Sequence, residues 1–140
     1  MDKKKIIYDF LNEQIHAVLA TVNAENKPEG AFIGFGLDEQ MNIVFGTGIK
    51  TRKFANIQNN PHVALTITDA EKRITVQYEG EAKELIKEEL DKCKQLYFHK
   101  LPSARKFESS TNRYFKVTPT WIRYSDINET PWKIFELTDF

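Results

Sequence analysis

The segment IVFGTGIKTRKFANIQNNPHVAL, Ile43 to Leu65, changes its pattern twice within twenty-three residues. An apolar, β-prone run ends in Gly46-Thr47-Gly48. A short helical pattern follows, with Phe54, Ile57 and Ala55 inward, until Asn59-Asn60-Pro61 stops it. Alternation then returns, with Val63, Leu65 and Ile67 on one face. A strand that feeds a helix start leaves backbone N–H groups unpaired beside a partial positive charge, which favours phosphate. Thr47 and Thr51 add hydroxyls, and Arg52 can grip phosphate with two parallel bonds. Lys50, Arg52 and Lys53 oppose the helix dipole and repel one another there, a penalty that a bound dianion relieves. The same three cations also fit a solvated surface cluster without a ligand.

Outward from this segment the chain reads as mainly β with short helices. Lys3 to Gln14 spaces Ile6, Ile7, Phe10 and Leu11 as an amphipathic helix. Strands are predicted at His16 to Val22, Glu29 to Leu37 and Asn42 to Thr47, joined as an antiparallel meander. Two more follow around Val63 to Thr68 and Ile74 to Leu85, the latter interrupted at Gly80 by a bulge. Ile86, Leu90, Cys93 and Tyr97 recur at helical spacing up to about Lys100. Closing strands are predicted at Tyr114 to Thr118 and Trp121 to Tyr124, separated by Pro119, and another at Trp132 to Leu137.

The 140 residues suit one domain with one modest core, and no linker or repeat divides them. Twenty basic against twenty acidic side chains leave no long-range attraction for nucleic acid. Asp9 and Asn12 interrupt the only N-terminal apolar run, so neither a signal peptide nor a membrane span is expected. A single cysteine, Cys93, excludes an intramolecular disulfide and fits a reducing cytoplasm. His16, His62 and His99 match no metal-ligand spacing, and no metal site is expected.

Gly34 and Gly36 share a strand face with Phe32, a strip of bare backbone that a planar ring could approach; tight packing or a bulge would explain them equally. Here the pattern becomes specific. Ile43 to Leu65, with Pro28 to Leu37 and Lys72 to Ala82, resembles the flavin-phosphate region of pyridoxamine 5'-phosphate oxidase and its relatives, over about His16 to Leu85. The resemblance implies a six-stranded antiparallel split barrel that binds FMN and dimerises. It implies that Arg52 and Lys53 hold the phosphate, with Gly46, Thr47, Lys50 and Thr51 around it, and that the backbone of Phe32, Ile33, Gly34 and Phe35 faces the isoalloxazine. Thr75 stands where the oxidase has a glutamine.

Other positions depart from the oxidase. Ala31 and Gly36 replace an arginine and a lysine, and no Arg-x-His motif follows Trp132 to Leu137, so vitamin B6 oxidation is not expected. The reading is an FMN-binding protein, an oxidoreductase acting on an unknown small molecule, with the cofactor site at a homodimer interface. Catalytic residues are not identifiable. Alternatives are a non-catalytic flavin-binding or stress-related protein, and a haem or deazaflavin binder.

Overall fold

The computed structural model describes residues 1–140. Helix α1 (Lys3–Glu13) is capped by Asp2, whose carboxylate accepts from the Lys5 amide, and lays Ile7, Phe10 and Leu11 into the core. Strands β1 (His16–Val22), β2 (Pro28–Gly34), β3 (Gly36–Leu37) and β4 (Ile43–Gly48) follow, then helix α2 (Arg52–Asn59). Strands β5 (His62–Asp69) and β6 (Ile74–Glu84) precede helix α3 (Lys87–Lys100) and a 3-10 turn at Pro102–Phe107. Strands β7 (Asn112–Asp126) and β8 (Lys133–Leu137) close the chain. No helix is long and apolar enough to cross a membrane.

All pairings are antiparallel, in the order β2-β1-β5-β6-β7-β4-β3, with β8 added beside β7. The predicted meander is corrected: β2 pairs only with β1, and just Gly36 and Leu37 reach β4, opposite Val44 and Ile43. The cause is a change of edge at Phe35, whose amide still donates to Ile15 O on the β1 side while the next residue joins β4. One segment thus borders both edges of the curled sheet, and β2 and β4 diverge from Phe35 without pairing. The architecture is a split barrel. Counting β2 and β3 as one broken strand gives the predicted six, and β8 is additional.

Strand β7 is also one element, not two. Thr120 is the extra residue of a bulge between the Glu79–Trp121 and Gly80–Pro119 pairs, and its hydroxyl donates to Glu79 O. Pro119, with no N–H to offer, sits where the ladder is already interrupted. The bulge expected at Gly80 therefore belongs to the partner strand, and Gly80 serves a close approach: a Cβ there would meet the Thr118 carbonyl and lie 2.9 Å from Val117 Cγ1.

The main core fills the barrel with alternating side chains such as Ile33, Phe35, Leu65, Ile67, Val76 and Tyr78. The buried Tyr78 hydroxyl lies 2.7 Å from Met41 O and 3.1 Å from Val117 O, fastening the β3–β4 turn to β7. A smaller cluster of Val44, Leu85, Cys93, Phe98 and Tyr114 holds α3 against β4 and β7. Two inward assignments are corrected. Asn56 is buried where Ala55 was expected, and Ile86 is exposed because it precedes the first turn of α3 in extended backbone.

Candidate functional site

The divergence of β2 from β4 opens a cleft of about 320 Å3. One wall is formed by Phe32, Ile33 and Gly34; the other by Gly46, Thr47 and Gly48. These are two strand edges that would hydrogen-bond each other in a closed sheet, so their unpaired main-chain groups are available to a ligand. The start of α2 contributes Thr51 and Lys53 at one end. Tyr97 from α3, Ala104 and Phe107 from the 3-10 turn, and Asn112 and Tyr114 from β7 complete the lining.

At the α2 end, Thr51 is the N-cap: its hydroxyl oxygen accepts from the Phe54 amide at 3.3 Å and lies 2.7 Å from the Thr47 hydroxyl. The cap uses one helix-start donor and leaves the Arg52 and Lys53 amides without helical partners. Lys53 is half-buried, and burial alone lowers its pKa, with no charged neighbour contributing. It is the one ionisable cation in the lining, which contains no carboxylate. An ammonium desolvated without a counter-charge is held at a cost that an anion would offset.

Aromatic rings shape the rest. Tyr114 lies so close over Gly46 that a Cβ there would fall 2.7 Å from its ring, which explains the glycine. Tyr97 meets Tyr114 edge-on at 5.7 Å, and burial, then the neighbouring Tyr114, raises the Tyr97 pKa, so both rings stay neutral walls. Phe32 and Phe107 flank the mouth, each 71% exposed, and His16 stacks on Phe32 at 4.7 Å.

Of the residues singled out in the sequence, Phe32, Ile33, Gly34, Gly46, Thr47, Thr51 and Lys53 share this cleft. Four lie elsewhere. Phe35 is fully buried in the core on the face opposite Phe32, with the Lys100 ammonium 3.7 Å from its ring centre. Lys50 is exposed in the turn before α2. Arg52 turns away to Glu29, 3.3 Å distant. Thr75 pairs with Ser125 while Thr47 pairs with Arg113, twelve residues earlier on β7, so it sits at the opposite end of the sheet. The glycine strip expected to be bare is covered at both positions: a Cβ at Gly34 would lie 3.0 Å from Leu101 Cδ1. A Cβ at Gly36 would lie 2.9 Å from Leu96 Cδ2 and 3.1 Å from Tyr97 Cα, so that glycine admits α3 and not a ligand. Tyr97, Ala104, Phe107, Asn112 and Tyr114 were missed: in sequence they are ordinary members of a helix face, a polar turn and a strand start.

The protein is thus of the split-barrel class, with a split lined by strand edges, one half-buried cation and aromatic rings. Residues 4–126 match the model of the family described as pyridoxamine 5'-phosphate oxidase, and the chain belongs to that family. It is 31% identical over 90 residues to the pyridoxine/pyridoxamine 5'-phosphate oxidase of Haemophilus influenzae, a match covering 64% of this chain and 43% of that protein. This chain therefore spans less than half the length of the curated relatives it matches. Among solved structures it is similar to General Stress Protein 26 from Bacillus anthracis, with TM-score 0.75 and 22% identity over 98% of this chain and 100% of that one. It is similar also to a haem-binding protein from Mycobacterium smegmatis, with TM-score 0.78 and 17% identity over 89% of this chain and 53% of that one.

Proposed function

We propose that this protein binds FMN in the split between β2 and β4 and acts as a flavin-dependent oxidoreductase on a small molecule, as a homodimer. The observation that carries the reading is Lys53, a half-buried ammonium with no counter-charge, beside the Thr47 and Thr51 hydroxyls at the start of α2. These groups suit a phosphate monoester, and the wall of Phe32 to Gly34 with the Tyr97 and Tyr114 rings suits a planar ring. Flavin, when bound, supplies the hydride or electron transfer. The chain's own residues bind, orient and exclude water, which requires no side-chain acid or base. Pyridoxamine 5'-phosphate is not the proposed substrate, because one lining cation cannot serve the phosphates of both cofactor and substrate.

The visible spectrum of freshly purified protein tests this. The two-banded absorption of oxidised flavin, with FMN as the extracted chromophore, is the expected result; bleaching by reduced nicotinamide under argon would separate an oxidoreductase from a carrier. The fold shared with a haem-binding protein makes haem the second reading. A Soret band, or failure of the colourless protein to take up FMN, overturns the proposal.

A further inference from the structure

Beside the α2 end of the cleft, Glu29 on β2 is fixed by two amides. Asn56 Nδ2 donates to its Oε1 at 2.8 Å, and Asn23 Nδ2 donates to Oε2 at 3.1 Å. Asn56 is itself buried and also donates to Thr21 Oγ1 at 2.9 Å. The bond from Asn56, then that from Asn23, holds the Glu29 pKa below the ordinary carboxylate value, so the group is charged at neutral pH. Its side chain is 17% exposed, whereas that of Arg52, attached by a single 3.3 Å contact, is 76% exposed. The carboxylate is anchored and the guanidinium is free to move. A cavity of about 120 Å3, bordered by Glu29, Ala31, Arg52 and Lys53, adjoins the cleft, and Lys53 borders both.

We infer that Glu29 is a specificity-determining residue that competes with the ligand's phosphate for Arg52, an inference that rests on FMN binding in the cleft. In the structure Arg52 rests on Glu29. A phosphate that recruits it must draw it from a carboxylate that cannot follow and then sit near that fixed negative charge. Lys53 consequently carries the phosphate affinity, and Arg52 adds little while Glu29 is ionised. A flavin without phosphate is indifferent to the pair.

The test is titration of cofactor-free wild type, Glu29→Gln, Arg52→Gln and the double variant with FMN and with riboflavin, followed by flavin fluorescence. Glu29→Gln should bind FMN roughly threefold more tightly, the scale of one exposed ion pair, with riboflavin affinity unchanged. Arg52→Gln should lower FMN affinity by less than about twofold alone, and by roughly threefold or more in the Glu29→Gln background. Weaker FMN binding by Glu29→Gln means that the carboxylate orients Arg52 for the ligand; equal weakening of both flavins means a structural role. Either result overturns the inference. Because Arg52 is exposed, its single variant stands even if Glu29→Gln misfolds, and a tenfold loss there refutes competition. Wild type that binds no FMN refutes the proposed function and this inference together, whereas FMN binding insensitive to Glu29→Gln refutes the inference alone.

Discussion

Lys53 and Arg52 are adjacent in sequence and opposite in circumstance. Lys53 is desolvated without a partner, and Arg52 is exposed with one. Lys53→Gln should therefore weaken FMN binding roughly tenfold or more, the worth of one charge-assisted bond, and leave riboflavin binding nearly intact. Calorimetric titration with both flavins checks this, and an unchanged FMN-to-riboflavin ratio would remove Lys53 from the phosphate site. Some local features were legible: a strand ending at Thr47 and a helix beginning just after Thr51 follow from short-range pattern, whereas the cap made by the Thr51 hydroxyl emerged only in the structure. The fate of Arg52 was not, because Glu29 lies twenty-three residues away and meets it only through the fold. Phe35 illustrates a different limit. Strand parity places its side chain with Ile33 in the core, while the neighbouring backbone at Gly34 borders the cleft. Tyr97 and Tyr114 carry no local mark at all, since an aromatic on an apolar face looks the same whether it packs against protein or lines a void.

Among elements, the β6–β7 pair decides where close contact replaces regular pairing. Gly80 leaves no room for a Cβ between the Thr118 carbonyl and Val117, whereas a Cβ at Gly48 would meet nothing within 4 Å. Gly80→Ala should destabilise the protein by about 1–3 kcal/mol through overpacking, and Gly48→Ala should change stability by less than about 0.5 kcal/mol. Urea midpoints of the two variants make the comparison; equal midpoints would mean that the strands relax apart at the bulge without penalty. Element existence and type were legible nearly throughout, because periods of two and 3.6 residues survive in a single sequence. What sequence missed were handovers between elements. Pro119 reads as a stop until Thr120 is seen to absorb the interruption as a bulge, and Gly36 reads as strand surface until α3 is seen resting on it.

At the scale of the whole molecule, the cleft has walls and an open mouth, and two apolar side chains stand exposed on the sheet beside that mouth. Val18 and Phe32 are paired across β1 and β2 and are 47% and 71% exposed. In the proposed homodimer, a second copy covering this face would enclose a planar ligand on its open side. FMN should then stabilise the dimer, by about 2.7 kcal/mol per site at a hundred times its dissociation constant. Sedimentation over a range of concentrations, following flavin absorbance and mass together, should show both released on dilution; a monomer retaining FMN at full affinity would leave a one-chain site. Here sequence was least informative. The split arises because the chain changes sheet edge at Phe35, and nothing in the predicted strand from Glu29 to Leu37 distinguishes continuing along one edge from crossing to the other.

The split between β2 and β4 also governs what mutation can alter. Its walls are strand edges, so part of the recognition belongs to peptide groups, which every residue except proline carries in full. Replacing a side chain at the rim leaves those groups where they were. Exchanging Phe32, Phe107 or Tyr97 would therefore change the shape of the cleft while leaving its main-chain donors and acceptors in place.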